Sequence, residues 1–178
     1  MRHSVAIVAI ARNESQYINE WIEYHAALGF DHFYIYDNSF GSEERLSKSI
    51  SEGNKPLVSI IPAYNKLAFQ KQAYGIAYGK FSPYHDFLLF IDIDEFFTLE
   101  IHKTVSDYVD FLNGKCPGFQ TARIHWEIYD DNDVVERDMS VPVHEFFTRL
   151  ANTSDAIRHN NTTKSLVRTK IPGVYFPT

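Results

Sequence analysis

Two aspartates that follow an apolar segment are the residues best suited to chemistry. Residues 87–91 are all apolar, and Asp92 and Asp94 come directly after them, separated by Ile93 and followed by Glu95. If the segment continues as a strand, side chains two positions apart point to the same side. Carboxylate oxygens are ligands that Mg²⁺ and Mn²⁺ prefer, with water and phosphate completing the shell. The sequence therefore predicts a Mn²⁺ or Mg²⁺ site at Asp92 and Asp94, facing a diphosphate.

The alternative is a solvated turn, because two aspartates separated by one residue often occur by chance. Here the apolar segment before the pair and Phe96 and Phe97 after it indicate partial burial. Burial of acidic groups is costly, and three close carboxylates repel one another unless a cation or protons intervene. This context favours the metal site.

Strands alternate with helices over the first hundred residues. We predict strands at 5–10, 31–36, 57–61 and 87–91, and helices from the N-cap Asn13 to Gly29, at 42–50, at 66–80 and from the N-cap Thr104 to about 112. The helix at 66–80 would carry Leu67, Gln70 and Tyr74 on one face. This order predicts an α/β fold with a mostly parallel sheet covered by helices.

The pattern changes after Gly118. Residues 119–129 read as a long strand, followed by an acidic turn, and 141–148 and 165–169 are weaker strand candidates. We interpret these as a small antiparallel extension in the C-terminal third of a single domain, 1–178, whose two halves are 1–100 and 101–178. Residues 171–176 do not resemble a domain end, so we expect the active site to continue beyond Thr178.

Polar residues follow three of the predicted strands. Ligands of open parallel sheets bind outside the carboxyl ends of the strands. Arg12, Asn13 and Glu14 follow the first strand, Asp37 and Asn38 the second, and the two aspartates the fourth. We expect all three groups on one rim, where Glu14 and Asp37 offer acceptors for the donors of a base or ribose.

Read together, several segments resemble the glycosyltransferase-2-like proteins that include the family 92 galactosyltransferases. The match is dense over about the first hundred residues and loose afterwards. It consists of 9–14, 20–25, 28–29, 32–38, Gln70, 73–74, 90–96, Trp126 and 164–168.

The resemblance implies a Rossmann-like GT-A fold, a nucleotide-sugar donor and a divalent metal at the acidic pair. It makes 1–100 the half that binds the nucleotide sugar and 101–178 the half on the acceptor side. It implies that Asn13 and Glu14 border the base and that Asp37 lies near a uridine. The predicted nucleotide-binding set is Arg12, Asn13, Glu14, Asp37, Gln70 and Asp92. The family's turn after the tryptophan and its later histidine-containing segment are not matched, so the resemblance gives neither an acceptor site nor a third metal ligand.

Later residues are candidates for acceptor binding and proton transfer. Trp126 is either a platform for an acceptor sugar or a core residue. The candidates for a base that deprotonates the acceptor hydroxyl are Glu127, Asp130 and Asp131. The two aspartates are favoured because a loop can approach the acceptor more easily. The alternative is that all three residues belong to an exposed acidic turn.

Four basic or aromatic side chains elsewhere also have possible roles. Lys164 and Arg168 either counter the diphosphate charge or are surface charges on an edge strand. His25 and Trp21 lie on the apolar face of the first predicted helix and are expected in the core.

Composition limits the possible partners. The 178 residues are 44% hydrophobic with a formal net charge of -6, which fits a globular domain and gives no basic patch for nucleic acid. Cys116 is the single cysteine, so no internal disulfide can form, which is consistent with a reducing compartment. No apolar stretch approaches the roughly 20 residues of a membrane span. We expect a cytoplasmic protein, with peripheral contact to the inner membrane face left open.

The leading hypothesis is transfer of a hexosyl group from a UDP-sugar to a hydroxyl of a saccharide acceptor. One rival is a haloacid-dehalogenase-like phosphohydrolase, which usually has Thr or Val two residues after its second aspartate, where Phe96 stands here. The other rival is a non-catalytic domain that binds a nucleotide or carbohydrate.

Overall fold

The computed structural model describes residues 2–42, 45–130, 138, 141–151 and 162–171. Within these residues the chain forms one sheet with helices and short 3₁₀ turns. The strands are β1 (Val5–Ala11), β2 (His32–Asp37), β3 (Val58–Pro62), β4 (Phe87–Phe90), β5 (Thr121–His125) and β6 (Thr163–Arg168). The helices are α1 (Ile18–Ala27), α2 (Gln70–Phe81), α3 (Val105–Lys115) and α4 (Val143–Phe146), and the 3₁₀ turns are Leu46–Lys48 and Lys55–Leu57.

The described sheet has the strand order β3-β2-β1-β4-β6-β5. The first four strands in this order are parallel, whereas β6 runs antiparallel to both β4 and β5. Parallel neighbours need crossover connections. Helix α1 lies in the connection from β1 to its neighbour β2, and α2 lies in the connection from β3 to β4, which pairs with β1. The predicted α/β fold, mostly parallel with an antiparallel C-terminal part, is confirmed.

Strand β1 is buried on both faces, which explains its uniformly apolar sequence. Val5, Ile7 and Ala9 pack in one cluster with Trp21 of α1. Ala6 and Val8 face the other way and pack with Ala73, Ala77 and Phe81 of α2. The core therefore lies on both sides of β1 and fixes the position of the loop that follows it.

Helix α1 begins later than predicted. Asn13 has φ 61, a left-handed conformation, whereas an N-cap adopts the extended region, so its prediction as N-cap is wrong. The helix starts at Ile18 after Tyr17, which gives no side-chain cap. The predicted stop at Gly29 is confirmed, since its φ of 89 suits a residue without Cβ.

Two other predicted helices differ in extent. The described part of segment 42–50 forms only the 3₁₀ turn Leu46–Lys48. The helix predicted from residue 66 starts at Gln70 because Ala68 has φ 50, which is incompatible with a helix. Leu67 lies outside the helix and is 81% exposed, so the predicted face was wrong. The buried residues of α2 are Ala73, Ala77, Tyr78 and Phe81.

The last part of the described chain corrects three further predictions. The long strand is shortened to Thr121–His125, and the segment 141–148 forms the short helix Val143–Phe146 after Pro142 instead of a strand. The strand near the end is confirmed as Thr163–Arg168. It lies between β4 and β5, so it is not an edge strand. The alternative prediction that Lys164 and Arg168 are surface charges on an edge strand is therefore wrong.

Helix α3 follows the predicted cap. The Thr104 hydroxyl accepts a hydrogen bond from the Asp107 amide, and the Asp107 carboxylate accepts one from the Thr104 amide. This capping box satisfies two amides that the first turn leaves without partners. Among the described residues, no helix combines the length and the apolar character that crossing a bilayer requires.

Candidate active site

A cleft of about 310 Å³ opens at the carboxyl edge of β1, β2 and β4. Its lining consists of Ile10, Arg12, Glu14, Asn38, Lys66, Ala68, Phe69, Gln70, Asp92 and Asp94. Residues that follow three different strands thus meet on one rim, as predicted from the parallel sheet. Of the predicted nucleotide and metal residues, Asn13 and Asp37 do not line this cleft.

The acidic residues lie in a turn beyond the end of β4. The strand ends at Phe90, so the argument that Asp92 and Asp94 point the same way along a continuing strand was wrong. The turn is closed by hydrogen bonds from the Glu95 amide to the Asp92 carbonyl (3.2 Å) and from the Asp92 amide to Glu95 Oε2 (2.9 Å). It gathers one carboxylate oxygen of each of Asp92, Asp94 and Glu95 within 4.8 Å of one another.

This cluster fits a hard divalent cation. Three carboxylates that can approach a common point are the oxygen ligands that Mg²⁺ and Mn²⁺ prefer. Asp94 is exposed, and no hydrogen bond or ion pair engages its carboxylate within the described part of the chain. Glu95 was not predicted as a ligand, although its position directly after the pair was the available signal.

Asp92 is held by donors from two elements. Gln70 and Tyr74 of α2 donate to its Oδ1 at 2.6 and 3.1 Å. Burial, together with the charge of Asp92, raises the pKa of Tyr74, so its phenol stays a neutral donor. These contacts from α2 fix one of the two carboxylate oxygens of Asp92.

The second oxygen of Asp92 accepts a hydrogen bond from Lys164 of β6. The ammonium lies 2.5 Å from Asp92 Oδ2 and 3.1 Å from Glu95 Oε1. It also lies 4.9 Å from the ring centroid of Trp126, within cation–π range. Burial lowers the pKa of Lys164, but the hydrogen bond to Asp92 and the charge of Glu95 outweigh it and raise the pKa overall. Lys164 is therefore a cation of the acidic cluster.

Arg168 does not share this position. Its guanidinium donates to the Phe119 carbonyl (2.7 Å) and to Asn113 Oδ1 (2.5 Å). It also stacks against the rings of Phe87 and Phe119, and it pairs in register with Phe87 at the start of β4. The predicted role of Arg168 in countering a diphosphate was wrong, because this end of β4 is remote from the acidic turn.

Two glutamates near the cleft have perturbed acidity. Burial raises the pKa of Glu14 to about 7, with the charges of Asp94 and Asp92 adding to the effect. Burial likewise raises the pKa of Glu95 to about 7, although the Asp92 amide and Lys164 oppose the increase. Carboxyl groups with such values concentrate in sites that bind cations or transfer protons.

Helix α1 braces the acidic turn through three side chains. Trp21 Nε1 donates to the Glu95 carbonyl (2.7 Å), and the Tyr24 hydroxyl donates to the Phe97 carbonyl (3.2 Å). His25 Nε2 accepts from the Phe97 amide at 3.1 Å. Trp21 and His25 are fully buried, so their predicted place in the core is confirmed. Their polar atoms also position the backbone that carries Glu95.

Asp37 supports a loop. It is fully buried, and its Oδ1 accepts from the Ser39 amide (3.1 Å) and hydroxyl (2.6 Å) while its Oδ2 accepts from the Leu46 amide (3.0 Å). Both oxygens therefore bind the segment that follows β2. Asp37 has no exposed surface with which to contact a ligand, in contrast to the uridine contact that the resemblance implied.

We expect Asp37→Ala to lower the free energy of unfolding by about 2–4 kcal/mol, because it leaves several buried donors without an acceptor. Urea denaturation measures this, with the exposed Asp110→Ala as control. A variant of unchanged stability that has lost affinity for uridine nucleotides would contradict the structural role.

Asparagines and an arginine shape the rim. The side chain of Asn38 exchanges two hydrogen bonds of 2.8 Å with the backbone of Lys66, which ties the loop before α2 to the end of β2. Asn13 is exposed, and its Oδ1 accepts from the Phe40 amide at 3.4 Å. The Arg12 guanidinium stacks on the Phe40 ring at 3.8 Å. Of this stacked pair, Arg12 lines the cleft and Phe40 is 54% exposed.

The predicted acceptor-side residues are dispersed. Asp130 forms an ion pair with Arg149 at 2.9 Å, and Glu127 is exposed and accepts from the Tyr129 hydroxyl at 3.3 Å. Asp131 lies outside the described residues. Trp126 is half-buried, its ring faces Lys164, and its buried Nε1 has no hydrogen-bond partner among the described residues.

Comparisons with known proteins point to one family. The sequence profile of glycosyltransferase family 92 matches residues 2–52. A glycosyltransferase family 92 protein of Oryza sativa subsp. japonica is 29% identical over 109 residues, covering 59% of this chain and 18% of the relative. One from Ricinus communis is 28% identical over 115 residues, covering 60% and 19%. These similarities support the assignment of the chain as glycosyltransferase family 92-like.

The chain spans less than a fifth of the length of these curated relatives. Among solved structures, S. aureus TarS aligns with TM-score 0.43 and 15% identity over 63% of this chain and 20% of TarS. The apo bifunctional glycosyltransferase WbbM aligns with TM-score 0.44 and 14% identity over 96% of this chain and 32% of WbbM.

Proposed function

We propose that this family 92-like chain binds a UDP-sugar in the cleft and transfers its hexosyl group to a hydroxyl of a saccharide acceptor, with Mn²⁺ or Mg²⁺ as cofactor. The observation that carries the proposal is the acidic turn at the carboxyl edge of the parallel strands. It gathers Asp92, Asp94 and Glu95 beside a cleft whose other rim carries Arg12 and Glu14.

In this proposal, Asp92, Asp94 and Glu95 would hold the cation. When bound, the cation supplies positive charge to the diphosphate and stabilises the nucleoside diphosphate as it leaves. Gln70 and Tyr74 orient Asp92 through its Oδ1, and α1 orients Glu95 through its carbonyl. These side chains keep the cluster in one arrangement before the donor arrives, so little reorganisation is required when it binds.

The rim of the cleft would recognise the nucleoside. The Arg12–Phe40 pair offers a flat face against which a base can stack, and Glu14 offers an acceptor for a base or ribose donor. Asn13 lies next to both and remains a candidate contact. This set replaces Asp37, whose oxygens are engaged by the loop that follows β2.

The acceptor would approach from the side of Trp126. The ring of this residue is half-buried and offers an apolar face on which a sugar can pack. Glu127, Asp130 and Asp131 remain the candidates for the base that takes the proton of the attacking hydroxyl. For Asp130 to act as this base, its ion pair with Arg149 would first have to break.

The direct test follows UDP release from a panel of UDP-sugars, with and without saccharide acceptors, in Mn²⁺ and in EDTA. We expect turnover that depends on Mn²⁺ or Mg²⁺ and on one donor. Binding of UDP without turnover over the whole panel would favour the non-catalytic binding domain. Release of phosphate from phosphomonoesters would favour the phosphohydrolase.

A further inference from the structure

The ammonium of Lys164 lies at a place in the acidic cluster that an external cation would otherwise have to fill. Lys164 is only 16% exposed, and it bridges Asp92 and Glu95, which come from a turn 69 or more positions earlier in the chain. Asp94 alone keeps a carboxylate without a hydrogen bond or ion pair within the described residues. The cluster is therefore partly neutralised by the chain itself.

The four carboxylate oxygens of Asp92 and Glu95 have two kinds of partner, neutral donors and the charged ammonium of Lys164. Asp92 Oδ1 accepts from Gln70 and Tyr74, and Glu95 Oε2 accepts from the Asp92 amide; all three donors are neutral. The other two oxygens, Asp92 Oδ2 and Glu95 Oε1, face the ammonium of Lys164. A divalent cation that uses these two oxygens together with Asp94 would meet a positive charge at hydrogen-bond distance from both of them.

We propose that Lys164 is an exchangeable counter-ion of the metal site, which holds Asp92 and Glu95 in place without metal and yields them when a divalent cation binds. The inference rests on the proposed function, because the metal belongs to that proposal. Lys164 suits this exchange because a lysine carries a compact charge on a flexible stem. An arginine would bind the same carboxylates through a rigid fork.

The ring of Trp126 offers the ammonium a contact that does not depend on the carboxylates. Its centroid lies 4.9 Å from Nζ, so the charge can stay over the ring while the carboxylates turn to the metal. From there the ammonium remains beside the acidic turn, where the diphosphate would bind. Lys164 thus opposes binding of the metal alone but favours binding of the diphosphate, since like charges repel and opposite charges attract.

The test measures metal affinity without nucleotide or turnover. Binding of Mn²⁺ to the purified protein is followed by the loss of the EPR signal of free Mn²⁺, for wild type, Lys164→Met and Lys164→Arg. The matched control is Lys103→Met, an exposed lysine beside the Thr104 cap and Gly29, at the opposite edge of the sheet. If Lys164→Met does not fold, Lys164→Gln takes its place, because an amide can still donate to Asp92.

We expect Lys164→Met to bind Mn²⁺ about tenfold more tightly than wild type, since a positive charge next to two ligands is removed. Lys103→Met should bind it as wild type does, whereas Lys164→Arg should bind it more weakly, because a rigid guanidinium fork gives up the two carboxylates less readily than the lysine does. In EDTA, Lys164→Met should bind UDP about fivefold more weakly, because the cluster has lost its internal cation. A lysine with a purely structural role would not move these two affinities in opposite directions.

Two results would overturn the inference. Equal or weaker Mn²⁺ binding by Lys164→Met would refute exchange and leave the proposed function intact. Absence of Mn²⁺ binding in wild type and in every variant would refute the metal site, and with it both the proposed cofactor and the role of Lys164.

Discussion

Asp94→Ala is expected to lower sugar transfer by at least about a hundredfold, with little change in stability. The carboxylate of Asp94 is exposed and has no hydrogen bond or ion pair within the described residues, so its removal costs the fold little. It is also one of three carboxylates gathered in the acidic turn. The loss would therefore fall on metal binding and on the charge that metal supplies to the leaving diphosphate.

Asp94 is a better choice for this test than Asp92. Asp92 also accepts hydrogen bonds from Gln70, Tyr74 and Lys164, so its removal would disturb its contacts with α2 and β6 as well as the metal. A loss of activity in Asp92→Ala would not separate the two effects. Asp94→Ala separates them because thermal unfolding and activity are expected to respond differently.

The control for Asp94→Ala is Asp110→Asn on α3. Asp110 is exposed and pairs with His3, whose own segment leads into β1 at the opposite edge of the sheet. It should retain wild-type transfer and wild-type Mn²⁺ affinity by EPR. Full transfer activity in Asp94→Ala, with metal dependence retained, would refute its role as a metal ligand.

The second large effect concerns stability below pH 6.5. Burial lowers the pKa of His25 to about 3, and the hydrogen bond to the Trp21 carbonyl only partly offsets this. The neutral ring donates from Nδ1 to Trp21 (2.7 Å) and accepts at Nε2 from the Phe97 amide. Protonation would place a second donor against the Phe97 amide, so the folded state excludes the proton.

The sign of the pH effect follows from this lowered pKa. The unfolded chain binds a proton at His25 below about pH 6.5, whereas the folded chain does not until about pH 3. The contribution of His25 is therefore complete above pH 6.5 and is lost as the pH falls towards 3. At pH 5 we expect a loss of about 2 kcal/mol in the free energy of unfolding relative to pH 7.5.

His25→Gln isolates this contribution from other titrating groups. The amide can donate to Trp21 and accept from Phe97 but does not titrate. Urea denaturation of both proteins at pH 5 and 7.5 gives four free energies. The difference between wild type and variant should shrink by about 2 kcal/mol at pH 5. A difference that is the same at both pH values would show that His25 does not titrate with the expected pKa.

The parts of the fold that could be predicted from the sequence are those that depend on local signals. Strands β1, β2 and β4 are apolar because both faces are covered, and this gives uninterrupted apolar segments. Gly29 and Thr104 mark helix ends through backbone conformation and side-chain capping, which involve only near neighbours. From these elements alone, the position of Asp92 and Asp94 at the carboxyl edge of the sheet could be derived.

Features that depend on distant contacts could not be derived in this way. Lys164 was one of two basic residues with a possible charge role, and only the insertion of β6 beside β4 brings it to Asp92. Arg168, four positions later on the same strand, lies between aromatic rings instead. Nothing in their local sequence distinguishes them, because register and strand order decide which one reaches the cleft.

Asp37 shows a different reason for error. It ends β2 and carries a side chain suited to a nucleoside, yet donors of the following loop engage both of its oxygens first. Short polar side chains at strand ends compete for neighbouring amides as readily as for ligands. Composition and spacing therefore identify the rim, whereas the division between loop support and ligand contact requires the coordinates.

The interior position of β6 affects how the protein is made on the ribosome. Translation delivers β1 to β4 before Thr163–Arg168, so the outer edge of β4 has no described neighbour until β6 has emerged. An open edge of apolar strand invites pairing with other nascent chains. Until β6 arrives, Asp92 and Glu95 also lack the ammonium that holds them together. Completion of the described sheet and neutralisation of its acidic turn thus both wait for the same strand, β6.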